Sequence, residues 1–302
     1  MKLIKDKTYH YDDPFKEKAR AHQFAFKENV LNDFYDEKNP QVYLSPNSAK
    51  QGLIFCDVYR NLIRNKTKSK SFNDSALFSN MLRSEHIPYN IFTPMEENLD
   101  SAVSLFNKII GGSIDEITSI EIEYPGYSKE KNEYLKDGTS FDTFVKYKAC
   151  DGSYGGIGIE VKYTEKSYRI GDIEKRNIED KNSQYHQITK LSNYYIPSLD
   201  VLSFIKASHL RQIWRNHILG FSMIKKGDIK HFHHIHLYPQ GNKHFHEHAI
   251  PEYKKLLTDD GRKTFIDLTY ESLFDMIEVY FTSEKEKEWL KYLRKRYIIV
   301  TK

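Results

Sequence analysis

Two short runs, Phe141 to Tyr147 and Ile157 to Tyr163, constrain this chain more than any other part of its sequence. In the second, Ile157, Ile159, Val161 and Tyr163 fall at every other position, the period of a half-buried strand. The first is aromatic and β-branched, as strands prefer. Between them lies Asp151-Gly152-Ser153-Tyr154-Gly155-Gly156, whose Asp-Gly and Gly-Gly steps are turn signals. The pair is therefore expected to fold as an antiparallel hairpin. Glu160 and Lys162 share a face of its second strand, and Asp142 stands in the first. At the edge of an otherwise apolar sheet this would gather two carboxylates and one amine. Glu160 and Lys162 alone would be a surface ion pair of little energetic value. Asp142 turns them into a candidate site.

The first 112 residues read as helices. Asp13-Pro14 and Ser45-Pro46 are helix starts, an N-cap followed by Pro at the first helical position. A third helix is expected from Asp74 through Leu77, Met81 and Leu82, placing Glu85 at its end. Thr93 and Glu96 read as a capping box opening a helix through Leu99, Val103, Phe106 and Ile110, stopped by Gly111-Gly112. From Ile114 the period changes to two, giving a strand through Ile120, Ile122 and Tyr124. Beyond Glu165 the chain is polar, a loop with some helix. Leu210, Ile213, Trp214, His217, Ile218 and Phe221 then mark one face of a helix from Ser208, with Gln212 and Arg215 on its flank. Phe265 to Leu268 read as a last strand, followed by helices from Thr269 and from the capping box Ser283/Glu286. The expected architecture is α/β: a helical region over 1–112 packed on a core over 113–302, whose central mixed sheet is flanked by helices.

Composition excludes some functions. Nothing near Met1 has the sustained apolar run of a secretory leader, and no apolar run could span a bilayer, so no membrane association is expected. Cys56 and Cys150 have no metal-type spacing and read as free thiols of a reducing cytoplasm. A net charge of +4 permits nucleic-acid binding without arguing for it. Arg60, Arg64, Lys66, Lys68 and Lys70 form an acid-free basic run, read as a solvated loop in preference to a phosphate contact; Arg294-Lys295-Arg296 is a second such run. Seven of the 13 histidines lie between 231 and 248. They read as two strands joined by Pro239-Gln240-Gly241-Asn242, with His234 and His236 on one face and His244 and His246 on another. No Cys and no helical His pair accompanies them, so a polar hairpin face is the preferred reading over a zinc site.

Two carboxylates and a lysine on adjacent strands suit phosphodiester hydrolysis. Hard cations such as Mg²⁺ take oxygen ligands and keep waters, and an adjacent ammonium steadies charge on phosphate oxygens. There is no Gly-x-Ser-x-Gly elbow for acyl transfer and no Walker-type loop for nucleotide hydrolysis. Asp142 followed by Glu160-Val161-Lys162 across a Gly-containing hairpin resembles the PD-(D/E)XK motif of the restriction-endonuclease-like nucleases. The segments Asn80 to Glu85 with Asn90-Ile91-Phe92, Asp137 to Asp142, Glu160 to Glu165 and Gln212 to His217 are similar to an uncharacterised bacterial branch of that superfamily, over roughly residues 20 to 257.

The resemblance implies a restriction-endonuclease-like core and a metal-dependent DNA endonuclease of bacterial restriction or anti-phage defence, using Mg²⁺ with Mn²⁺ as substitute. It implies Asp142, Glu160 and the Val161 carbonyl as metal ligands, and Lys162 as the catalytic lysine. Glu85 would be a further acid, and Gln212 would join the catalytic set. Arg215, with Arg64 and Lys66 from the basic run, would contact DNA. By analogy with nucleases that cut duplexes as dimers, the partner set is DNA and a second copy of the chain. Phe141 stands where the motif's name has Pro. The rival readings are a nucleic-acid-binding module without catalysis, acting within a larger defence or repair complex, and a histidine-based zinc protein.

Overall fold

The computed structural model describes residues 12–34, 42–68, 78–125 and 133–299. Among them five strands form one mixed sheet in the order β1 (Ile114–Tyr124), β2 (Phe141–Ala149), β3 (Tyr154–Val161), β4 (His231–Tyr238) and β5 (Phe265–Thr269). The expected hairpin is present: β2 and β3 run antiparallel, with Val145 opposite Ile157 and Thr143 opposite Ile159. β1 is antiparallel to β2, and β4 and β5 extend the sheet in parallel. β2 and β3 are thus interior strands. The candidate site lies at their ends and not, as the sequence suggested, at the sheet's edge.

Both faces of the sheet are covered. On one lie α1 (Pro14–Asn29), α2 (Pro46–Gln51), α3 (Arg60–Lys68), α4 (Ile87–Phe92) and α5 (Leu99–Ile110). The opposite face carries α6 (Asp172–Glu179), α7 (Gln184–Leu191), α8 (Ser208–Lys226) and α9 (Ile250–Lys255), while α10 (Asp259–Thr264) precedes β5. The terminal helices α11 (Tyr270–Tyr280) and α12 (Glu284–Tyr297) return to the first face. There they share one core with the N-terminal helices and with Val145, Ile157, Ile159 and Val161 of the sheet. Phe144, Trp214, Phe232 and Tyr253 belong to the second core.

Gly158 shows how tightly the second face is filled. A Cβ there would stand 2.4 Å from the ring of Phe141, so only glycine lets the ring lie across β3. Gly220 does the same for α8, where a Cβ would meet the Phe232 ring at 2.1 Å. That contact sets how closely the helix approaches β4.

Several helix signals hold. Asp13 caps α1 by accepting from the amides of Phe15 and Lys16 at 2.9 and 3.0 Å, and Ser283/Glu286 form the full capping box of α12. Others moved. Thr93 caps nothing with its side chain; Pro94–Glu97 is a 3-10 turn, and α5 starts at Leu99 with Asn98 as its cap. Glu96 is drawn away by Lys66. Asp74 and Leu77 lie outside the described residues, and Met81 and Leu82 are in a turn, so Glu85 precedes α4 instead of ending a helix. The histidine hairpin is not formed. β4 is flanked on both sides in parallel and is buried from His234 to Tyr238, as a strand covered on both faces must be. His244–Ala249 winds as a π-helix leading into α9, so His244 and His246 do not share a strand face.

Candidate active site

Glu160 of β3 and Lys162, one residue past its end, stand two residues apart on the face that α8 crosses. Two strand residues span about 6.7 Å and four helical residues about 6 Å, so a helix can match such a pair with residues one turn apart. Gln212 and Asn216 do so. Gln212 Oε1 accepts from Lys162 Nζ at 2.7 Å, and Asn216 Nδ2 donates to Glu160 Oε2.

Asp142 enters from β2. One residue past the last ladder pair it stands across from Glu160, where its Oδ2 accepts from the amide of Val161 at 2.7 Å. Lys162 Nζ lies 2.5 Å from Glu160 Oε1. The backbone beneath is held from both sides: the Lys162 amide donates to the Leu237 carbonyl at 2.8 Å, and the Tyr270 hydroxyl donates to the Lys162 carbonyl at 2.7 Å.

The group is buried and electrostatically unbalanced. Glu160 is wholly buried, and the Lys162 side chain is 12% exposed. Burial, then the neighbouring Glu160, pushes the Asp142 carboxyl well above the usual carboxylate range. Burial alone would depress the Lys162 ammonium, but Glu160 and Asp142 outweigh it and raise its pKa. Lys162 is therefore a fixed cation at neutral pH. Two carboxylates share this one cation.

These residues, Glu160 excepted, form the floor of a cleft of ≈ 690 Å³, and Glu160 lies buried behind Lys162 and Asn216. Asp142, Lys162, Gln212 and Asn216 line it, as do Glu85 and Arg215. Glu85 is engaged by Arg83, and no contact joins it to Asp142 or Glu160 among those found. Arg215 is committed inward: its guanidinium meets Asp137 at 2.9 Å, Glu174 at 3.2 Å and the Tyr168 hydroxyl at 2.6 Å. Arg64 and Lys66 do not line the cleft. Lys66 pairs with Glu96 and donates to the Ile120 carbonyl at 2.7 Å, which ties α3 to β1.

Sequence reasoning passed over Asn216 and Glu165. Asn216 was legible as the residue one turn after Gln212 on the same helix face. Glu165 also lines the cleft; its carboxylate accepts from the amides of Ser84 at 2.9 Å and Thr164 at 3.1 Å. It braces the segment that carries Glu85.

His236 pairs with Glu160 in the ladder and His234 with Gly158, so both lie beneath the α8 face. Both are fully buried with no hydrogen bond found to either ring, and burial pushes His234 down to about 3. They pack as neutral rings, His234 stacked on His217 of α8 with centroids 5.9 Å apart.

The profile of the PD-(D/E)XK nuclease superfamily matches residues 10–299. The chain belongs to that superfamily. No curated protein and no solved structure matches it. Among the described residues no helix is long and apolar enough to cross a membrane.

PD-(D/E)XK nucleases generally use divalent metal ions, and the floor of the cleft fits one. Glu160 Oε1 is buried with the Lys162 ammonium beside it and no other hydrogen bond to it among the described residues, and Asp142 ionises only against its burial and then the charge of Glu160. A divalent cation would relieve both. Among the described residues no three His, Cys, Asp or Glu side chains could hold a metal on their own. The donor set is thus two carboxylates, which leaves room for waters and substrate oxygens, the usual habit of Mg²⁺.

The strain at Asp142 gives a measurable expectation. Its folded pKa lies above the unfolded value of about 3.9. Below that pH both states hold the proton and nothing is lost. As pH rises the unfolded chain releases its proton first, so folding stability falls and stays reduced once the folded carboxyl also ionises. Asp142→Asn escapes this loss. Without added metal its Tm should exceed wild type by a few degrees near neutrality, with the gap closing towards pH 4. A gap that does not change with pH would contradict the burial argument.

Proposed function

We propose that this nuclease is a metal-dependent endonuclease that hydrolyses DNA phosphodiester bonds. The observation that carries the reading is the meeting of Asp142, Glu160 and Lys162 at one cleft, whose floor Asp142 and Lys162 line and Glu160 backs. Asp142 and Glu160 would hold the cation, Mg²⁺ with Mn²⁺ as substitute, with the Val161 carbonyl as the further ligand implied by the resemblance. When bound, such an ion supplies Lewis-acid polarisation of the phosphate and acidifies a bound water.

The chain's own residues do the rest. Lys162, held by Gln212 and kept charged by Glu160, presents a fixed ammonium to the phosphate oxygens as charge builds on them. Because it stays protonated it serves as a cation and not as the base. Asn216 fixes the Glu160 carboxylate, an orienting contact of the kind that changes metal affinity or activity by about 10- to 100-fold when lost. Low exposure at the floor keeps these interactions strong. The products would be a 5′-phosphate and a 3′-hydroxyl. A setting in bacterial restriction or anti-phage defence rests on the likeness to restriction endonucleases.

The test is incubation with plasmid and with linear DNA, with and without Mg²⁺ or Mn²⁺, beside Asp142→Ala. Cutting that requires the metal and is lost in the variant is expected. Wild-type cutting that persists in Asp142→Ala would overturn the assignment.

A further inference from the structure

Past the last ladder pair of β3 and β4, Val161 with Leu237, the backbone of Lys162 still faces β4, for its amide donates to the Leu237 carbonyl at 2.8 Å. In a parallel ladder a residue donates to one residue of its neighbour and accepts from the residue two further along. For Lys162 that second residue is Pro239, which has no N–H to give. The Lys162 carbonyl is therefore left without a ladder donor.

Tyr270 supplies the missing donor. The last pair of β4 and β5 is Tyr238 with Thr269, and Tyr270 follows it by one residue, as Pro239 does, to open α11. Its hydroxyl donates to the Lys162 carbonyl at 2.7 Å. The ring is wholly buried, stacked on Tyr163 with centroids 6.5 Å apart and met edge-on by Tyr297 at 6.2 Å. Packing on two sides fixes where the hydroxyl points. The next carbonyl along, that of Tyr163, is taken by the Asn242 side chain at 3.0 Å, from the turn that Pro239 begins. Beyond the proline, side chains continue the ladder that the backbone of β4 has ended.

We infer that Tyr270 is a positioning residue for Lys162, standing in for the N–H that Pro239 lacks, with the catalytic part of Lys162 resting on the nuclease reading. Gln212 and Glu160 grip the ammonium at its tip. The Tyr270 bond fixes the peptide from which the side chain springs. Without it the carbonyl has no partner, which weakens the fold, and the peptide can turn, which moves the ammonium relative to the phosphate.

Tyr270→Phe removes the hydroxyl and keeps the ring, and Pro239→Ala gives β4 back its N–H. Thermal melts without metal are read beside single-turnover cleavage of labelled DNA with Mn²⁺ over a range of DNA concentrations. Tyr270→Phe should melt a few degrees below wild type. At saturating DNA it should cut about 10- to 100-fold more slowly, with the half-saturating DNA concentration unchanged. The double variant should recover both, and Pro239→Ala alone should behave like wild type. Tyr292→Phe is the control for lost stability: it takes a hydroxyl from the Ile54 carbonyl at 2.9 Å and should melt lower without cutting more slowly. A rate in Tyr270→Phe within about twofold of wild type would overturn the inference. So would a double variant that stays slow, or an equal loss of rate in Tyr292→Phe. Should wild type cut no DNA, the nuclease reading falls and the melts still decide the exchange of donors: recovery in the double variant sustains it, and no recovery overturns it.

Discussion

Glu160→Gln is expected to lower the rate of DNA cleavage by at least about 100-fold while leaving the fold as stable as wild type or more so. The two halves of this expectation come from the same geometry. Glutamine keeps the shape of the side chain: its carbonyl can accept from Lys162, and its NH2 can donate to Asn216 once that side-chain amide turns its oxygen inward. What disappears is one of two negative charges buried side by side. Without metal that charge is a burden, because, after burial itself, it is what pushes the neighbouring Asp142 carboxyl well above its ordinary range. In catalysis the same charge would be half of the cation's protein-derived ligands. A residue that weakens the fold and is retained for its chemistry should show this opposition when replaced. Rates on a labelled DNA substrate with Mg²⁺ and with Mn²⁺, set beside thermal melts without metal, give both readings. A variant that cuts within tenfold of wild type would sink the ligand role.

Arg215→Leu is expected to cost about 3–5 kcal/mol of folding stability, the usual consequence of removing one partner from a buried ion-pair network. Asp137 is 3% exposed, and the Arg215 guanidinium faces it at 2.9 Å. Glu174 would keep Arg211, whose Nε lies 3.0 Å away, and Asp137 would keep the hydroxyl of Tyr185. Neither contact returns the lost charge to Asp137. Chemical denaturation of both proteins at neutral pH measures the difference. Were Arg215 mainly a phosphate contact, as the resemblance implies, the variant would fold like wild type and only DNA binding would weaken. A stability loss below about 1 kcal/mol would favour the phosphate contact.

The strand pattern was the most legible part of the sequence, because a period of two with turn residues between leaves few alternatives. It identified β1, β2, β3 and β5, and it placed Asp142 on the strand beside Glu160. The errors have physical causes. The histidine segment was read as half-buried because histidine is polar, whereas β4 is an interior strand that buries His234 and His236 as rings. Its parallel pairing on both sides depends on segments far away in the chain, which local periodicity does not report. The capping box at Thr93 had the right residue types, but Glu96 found Lys66 across space, and Asn98 took over as cap. Asn216 was missed for a similar reason. Its importance lies in a partner 56 residues distant on another element; its place one turn after Gln212 marks the face it shares but not that partner.

The joint between α8 and β3 has a consequence for how this protein can vary. Gln212 and Asn216 meet Lys162 and Glu160 while Gly220, further along the same helix, is seated on Phe232. Each residue added to a helix turns what precedes it by about 100°. A single insertion between Gln212 and Gly220 would therefore swing the amides away from the strand even if every side chain were kept. The stretch between β3 and α8 carries no such restriction, since loops and short helices absorb extra length at the surface. In a set of relatives, gaps should crowd into that stretch and be absent between the positions of Gln212 and Gly220. The spacing is inherited as a measuring stick, and the residues are hung on it.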